Sequence, residues 1–211
     1  MIFAMILAET KTSLFSQRAR RNLVSFASLL VLGLSGCATP QKTAFPDTQQ
    51  RVIISIPEQR LVFLENGKQI ATYLISSAKN GIGDTSGSFK TPIGKLEIAD
   101  KIGDGLPLGS VLKDRLPTGE VIGVDAPGRD PIVSRILWLR GLEDSNRNAY
   151  ERFIYIHGTP QESQLGTPAS FGCIRMRSVD IAALYEIIKV GAQVWIVEDS
   201  SENAIKAWGI R

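Results

Sequence analysis

Leu61-Val62-Phe63-Leu64-Glu65-Asn66-Gly67-Lys68-Gln69-Ile70-Ala71-Thr72-Tyr73 is the stretch on which the fold class turns. Asn and Gly both tolerate positive φ, which the tight two-residue hairpin turn demands at its two central positions. An apolar run, Leu61 to Leu64, precedes the pair, and Gln69 to Ser76 follows it as the returning strand. The pattern therefore predicts an antiparallel hairpin. Upstream, Val52 to Ile56 is rich in β-formers and adds a further strand.

Working outward, Ser77 to Thr91 is rich in Gly, Ser, Lys and Asp and reads as a long loop, closed by Thr91-Pro92-Ile93-Gly94. Lys95 to Ala99 is another strand candidate. Asp100 to Asp130 mixes glycines and prolines with short apolar pieces and predicts irregular strands and turns. Ile132 to Leu139 is apolar enough for a buried strand and carries Arg135 and Trp138, which could face a groove. Phe153 to Ile156 is a short strand that delivers the chain to His157-Gly158-Thr159-Pro160. From Ser178 to Lys189 the period changes: Val179, Ala182, Ala183, Tyr185 and Ile187 or Ile188 would line one helix face, with Ser178 as N-cap and Gly191 as terminator. Gln193 to Val197 is a last strand, and 199–211 reads as a C-terminal tail, polar except for Ile205, Trp208 and Ile210. The expected class is mostly β with one helix.

The N-terminus has a different character. Lys11, Arg18, Arg20 and Arg21 precede the apolar run Leu23 to Leu34, which is too short to span a bilayer comfortably and suits a secretory signal. Leu34-Ser35-Gly36-Cys37 resembles a bacterial lipobox. That resemblance implies a signal peptide over 1–36, lipidation at Cys37, and a tether over 37–50 bearing Pro40 and Pro46; Ala38 after the cysteine favours the outer membrane. Acyl chains anchor by buried methylenes, at about 0.8 kcal/mol each. The whole chain has 24 basic and 21 acidic residues, but without the leader the two balance, which offers nothing to steer nucleic acid. With Cys37 acylated, Cys173 has no partner in the chain, a notable state for a thiol in an oxidising compartment.

His157 is the single histidine, and Cys173 follows it by sixteen residues, after a loop containing Gly166 and Gly172. A thiolate attacks carbonyls well when an imidazole or a helix N-terminus assists it. Gly172 permits close backbone approach, and the Gly172 and Cys173 amides could stabilise an oxyanion. By composition alone, a buried thiol and a structural histidine account for the pair as well as catalysis does.

The surrounding wording decides between them. His157-Gly158-Thr159, then Gly166, Pro168 and Ser170-Phe171-Gly172-Cys173-Ile174-Arg175-Met176, resembles the L,D-transpeptidase catalytic domain family of the YkuD type. Thr91-Pro92-Ile93-Gly94 and the opening hairpin, with Gln59 ahead of it, match further family features. The resemblance covers 51–198 and implies a β-sandwich-like catalytic domain with a short helix after the nucleophile loop. It also implies a ping-pong acyl transfer in which Cys173 attacks the bond after diaminopimelate in a peptidoglycan tetrapeptide stem. His157 would be the base, Ser170 a supporting residue of the motif, Gly172 and Cys173 the oxyanion amides, and Arg175 the substrate-binding arginine. Gly158, Thr159, Phe171 and Trp138 are further substrate-site candidates. Phe171 departs from the pattern, since many family members have histidine there. No metal or organic cofactor is implied. Partners would be stem peptides, a lipoprotein lysine as one acceptor among several, and the membrane through the lipid anchor in the periplasm. A hydrolase of the same fold, acting as an L,D-carboxypeptidase or releasing a lipoprotein, would use the same residues. An inactive wall-binding lipoprotein is the reading from another class.

Overall fold

The structure is a computed structural model and describes residues 49–209. Cys37, the leader and most of the tether lie outside the described residues. The strands are β1 (Gln50–Ser55), β2 (Arg60–Glu65), β3 (Lys68–Leu74), β4 (Gly94–Ile102), β5 (Ser110–Lys113), β6 (Leu116–Val121), β7 (Ile132–Gly141), β8 (Tyr155–Thr159), β9 (Ile174–Arg177) and β10 (Gln193–Val197). Helix α1 (Ser178–Ile187) precedes β10, and α2 (Ser201–Ala207) follows it. The mostly β class is as expected.

All ten strands join one curled sheet in the order β3-β2-β1-β10-β4-β7-β5-β6, with β8 added to β7 and β9 to β8. The Asn66-Gly67 hairpin forms as read: Glu65 pairs with Lys68, and both turn residues have positive φ, 52° and 76°. Among the described strands, β1 pairs in parallel with β10 and β8 with β9, and the other pairings are antiparallel.

β1 and β2 are buried on both faces. Val52, Ile54, Leu61 and Phe63 enter the main core beneath α1, together with Leu96, Leu137, Ile156, Ile174 and Met176. Ile53, Val62 and Leu64 point the other way and meet Ala204, Ile205 and Trp208 of the C-terminal segment. The segment read as a polar tail therefore holds a second helix, α2, capped by Ser200, whose side chain accepts from Asn203 N. Trp208 meets Trp195 edge to face at 5.4 Å. The sequence signal was in the strands: uninterrupted apolar runs, rather than alternation, require a cover on each face.

α1 also differs in detail. Its N-cap is Arg177, and Ser178 N–H is satisfied by Glu162 Oε1 at 2.9 Å rather than by the Ser178 side chain. Its core face is Ile181, Leu184 and Tyr185, continued by Ile188, whereas Val179, Ala183 and Ile187 are exposed. The apolar residues spread around this helix, so periodicity fixed its existence better than its orientation.

Candidate active site

β8 and β9 lie side by side with His157 opposite Arg175 in the parallel register, and Cys173 is the residue just before β9. His157 thus stands within β8 rather than at a strand end. A four-residue strand separates Cys173 from α1, so the thiol does not sit at a helix N-terminus. His157, Cys173, Arg175, Ser170 and Phe171 line one cavity of about 260 Å³, with Asp130 and Ile132 closing it. A second cavity, about 350 Å³, also reaches Cys173 and Phe171 and is walled by Phe89, Glu151, Arg152 and Phe153.

His157 is buried, and its Nδ1 lies 2.8 Å from Gly158 O. A carbonyl only accepts, so Nδ1 carries the proton of the neutral ring and Nε2 keeps the lone pair. Burial, reinforced by the Arg175 charge, pushes the imidazole pKa down to about 4 against opposing effects from the Gly158 carbonyl and Asp130. Cys173 is a free thiol held between two backbone groups: Sγ donates to Phe153 O at 3.3 Å and accepts from Tyr155 N at 3.4 Å. Burial pushes it up to about 11, although the Tyr155 amide and the Arg175 and Arg152 charges pull the other way. At neutral pH the resting pair is thus a thiol and a neutral imidazole, not an ion pair.

Ser170 shapes the loop before the cysteine. Its Oγ donates to Cys173 O at 2.6 Å and accepts from Gly172 N at 3.2 Å, while its backbone N–H bonds Ser77 O. The Gly172 amide is therefore already occupied by Ser170 Oγ. Gly172 has φ +130°, and a Cβ there would lie 3.3 Å from Ile154 Cδ1, so both conformation and space favour glycine. Thr91 of the Thr-Pro-Ile-Gly motif is fully buried; its Oγ1 donates to Gly172 O at 2.9 Å and accepts from Ala78 N at 3.0 Å. The second motif thereby braces the first.

Arg175 is paired with the Asp130 carboxylate, and its side chain is only 6% exposed. Asp130 is held in turn by Thr159 Oγ1 at 2.8 Å. Thr159, fully buried, thus supports the Asp130–Arg175 pair and does not line the cavity. Gly158 does not line it either: a Cβ there would come within 2.5 Å of Val133 O, so glycine serves the packing of β8 on β7. Trp138 stacks on Tyr150 at 4.2 Å and 7° and packs behind Cys173 rather than lining either cavity. Arg135, also expected to face a groove, is buried with its guanidinium on Leu106 O and Ser134 O. Phe171 is 58% exposed and meets Phe89 edge to face at 6.0 Å, with Lys79 Nζ 4.2 Å from its ring centre.

Sequence reading missed Asp130 and the buried Arg152–Asp84 pair. Arg152 bonds Asp84 at 2.7 Å, Gly83 O and Lys90 O, fastening the 77–91 loop beside the second cavity. Nothing in the local pattern around Asp130 or Arg152 distinguishes them from surface charges.

A family model described as the YkuD L,D-transpeptidase catalytic domain matches residues 49–196. The chain belongs to this family. "Probable L,D-transpeptidase YcfS" of Escherichia coli is 28% identical over 180 residues, covering 82% of this chain and 52% of that protein. "Probable L,D-transpeptidase ErfK/SrfK" of Salmonella typhimurium is 25% identical over 182 residues, covering 84% and 54%. The chain thus spans about half the length of the curated relatives it matches. A solved L,D-transpeptidase from Xylanimonas cellulosilytica aligns over 71% of this chain and 61% of its own, with 17% identity and a TM-score of 0.47.

Proposed function

We propose that this L,D-transpeptidase acts on peptidoglycan tetrapeptide stems through a thioester on Cys173, with His157 as base. The observation that carries the reading is the shared cavity of Cys173 and His157, combined with the Gly158 contact that leaves Nε2 as the basic nitrogen. In the first half-reaction the thiol gives its proton to Nε2 as sulfur bonds to the diaminopimelate carbonyl carbon. The tetrahedral intermediate then collapses, the C–N bond breaks, and the leaving D-alanine amine takes the proton from the imidazolium. In the second, an acceptor amine attacks the thioester and loses a proton to Nε2, and the departing sulfur recovers it. Cys173 N–H would donate to the oxyanion, since the Gly172 amide is held by Ser170 Oγ.

A neutral resting pair suits this scheme. The thiol becomes nucleophilic as it hands over its proton in the presence of a bound carbonyl. Two cavities converging on Cys173 suit an enzyme with an acyl donor and an acyl acceptor. Arg175 would receive a stem carboxylate in exchange for Asp130. Acceptors compatible with the scheme are a second stem, a lipoprotein lysine or a D-amino acid. Export and lipidation at Cys37 complete the reading: the short tether would hold the domain near the periplasmic membrane surface, where the wall is within reach.

The test is incubation of the purified protein with diaminopimelate-containing tetrapeptide muropeptides, with and without D-methionine. Intact-protein mass spectrometry would detect the acyl adduct, and chromatography the products. An adduct on Cys173 together with exchanged or cross-linked stems is the expected result. Tripeptide as the sole product would mean hydrolysis instead, and absence of both adduct and product across several stem types would overturn the enzyme assignment.

A further inference from the structure

The hairpin β5–β6 carries an unusual turn. Asp114 and Arg115 connect Lys113 to Leu116, and both have positive φ, 51° and 69°. That backbone normally selects Asn or Asp followed by Gly, so Arg115, at the glycine position, is an expensive occupant. β6 itself is exposed along its whole length, so burial of the strand does not account for the arginine. What Arg115 does is reach back under the site. Its guanidinium carbon lies 5.1 Å from the ring centres of both Trp138 and Phe153, and Nη1 is 3.4 Å from Tyr155 Oη.

Phe153 and Tyr155 are the residues whose backbone holds the Cys173 thiol: Phe153 O accepts from Sγ, and Tyr155 N donates to it. Phe153 also has positive φ, 57°, and the residue stays half exposed with the arginine over its ring. Strained residues of this kind persist where their surroundings over-determine them. Trp138 completes the cluster, 5.7 Å from Phe153 and edge to face with Tyr155 at 5.4 Å.

We propose that Arg115 is a positioning residue for Cys173: the β5–β6 turn latches the Phe153–Tyr155 segment, whose backbone carbonyl and amide aim the thiol. A planar fork is suited to the task because one face can cover two rings while an N–H reaches the phenol, a combination that an ammonium does not reproduce. With the latch in place the thiol is partly buried and directed. Without it the thiol gains exposure and loses aim, so small-reagent reactivity and acyl transfer change in opposite directions. The charged groups facing Cys173 from other elements, Arg152 and Arg175, stay in place in both states, as does His157 beside it. The consequence for acyl transfer rests on the thioester reading above; the coupling of Arg115 to the thiol does not.

The experiment compares full-length wild type with Arg115→Gly and Arg115→Lys. Iodoacetamide alkylation of the Cys173 peptide is followed across pH by mass spectrometry, alongside kcat and KM on tetrapeptide stems and thermal unfolding. Arg115→Gly removes the φ penalty, so Tm is expected to hold or rise. Its Cys173 alkylation midpoint should fall toward that of an ordinary thiol, and kcat should drop about tenfold or more with a smaller change in KM, since misdirection of a reacting group by about 1 Å is costly. Arg115→Lys should lie between the two. An unchanged alkylation midpoint in Arg115→Gly overturns the proposal, whatever happens to Tm. If wild type forms no stem adduct while the midpoint still shifts, the thioester reading fails and the latch stands. If wild type acylates and Arg115→Gly matches it in both midpoint and kcat, the latch fails alone.

Discussion

The β2–β3 and β5–β6 hairpins turn through nearly the same backbone, with two consecutive positive-φ residues, yet they are built from different materials. At one end of the sheet Asn66-Gly67 makes the turn with residues that accept it at little steric cost, and the adjoining β3 is an edge strand with Ile70 and Leu74 exposed. At the other, Asp114 suits the turn as Asn66 does, but Arg115 stands where glycine is preferred, and it spans the aromatic cluster behind Cys173. Where only folding has to be served, the sequence uses the residues the backbone prefers; where a reacting group has to be aimed, it accepts strain. The β2–β3 end should therefore answer to mutation in stability alone, and the β7–β8–β9 end in activity first.

The largest effects belong to the reacting pair. Cys173→Ala should abolish acylation, and His157→Ala should lower kcat roughly 10²–10⁴-fold, the usual worth of a general base. Thermal unfolding measured beside the kinetics tests whether the loss is chemical. If His157→Ala retains wild-type acylation, the base assignment is wrong and the contrast between the two ends loses its basis.

Asp130→Asn separates two roles of Arg175. Leaving a guanidinium with 6% exposure against a neutral amide should cost about 2–3 kcal/mol of stability, as for other hydrogen bonds to charged groups. If Arg175 also receives a substrate carboxylate, removing the internal competitor should lower KM for tetrapeptide stems. Reduced stability with unchanged KM would assign Arg175 wholly to the loop. Arg175→Lys, which gives up bidentate geometry, should weaken turnover while the fold persists.

The buried imidazole gives a pH signature of similar or smaller size. His157 titrates near 4 in the fold and near 6.5 when unfolded, so between those values the unfolded chain binds more protons. Its contribution is complete above pH 6.5 and is lost as pH falls toward 4, by about 3 kcal/mol at most. Cys173, raised to about 11, acts at the opposite end: its contribution is lost as pH rises from 9 toward 11. Denaturant unfolding of wild type and His157→Gln across pH 4–7 would show the difference, and parallel curves would rule out a depressed histidine. Acylation should accordingly rise through about pH 4 and be level through neutrality.

The same contrast explains what could be read in advance. The first hairpin was legible because its turn residues and apolar runs are local signals, and the family motif placed His157, Ser170, Gly172, Cys173 and Arg175 in one neighbourhood. Helix α2 was hidden because its amphipathic span is short and its polar face dominates the composition; only the two-sided apolar runs of β1 and β2 hinted at a cover. Asp130 and Arg115 were illegible because each acts through a contact with residues far away in the chain. Gly158 and Thr159 are substrate-site candidates by proximity to the motif, and Trp138 as a residue of a strand that could face a groove. In the fold, alternation along β8 turns Gly158 away from His157's face, Thr159 is occupied by Asp130, and Trp138 stacks on Tyr150. Motifs report which residues gather, but side-chain direction depends on register, and a one-residue shift reverses it.

The smallest effect is the control on the whole comparison. Gly67 has φ 76° and sits in a turn remote in sequence from every cavity residue. Gly67→Ala places a Cβ in the left-handed region, at a cost of roughly 1–2 kcal/mol, or a few degrees in Tm for a domain of this size. The alkylation midpoint of Cys173 and kcat on stems should be unchanged, because the strain is local to an edge hairpin that carries no part of the site. Arg115→Gly is the mirror experiment: it removes a Cβ from the same backbone region and should leave stability intact or improved while changing both readouts at Cys173. If Gly67→Ala instead shifts the thiol midpoint, strain at the β2–β3 turn is transmitted across the sheet, and the effect of Arg115→Gly could no longer be attributed to its contacts with Phe153 and Tyr155.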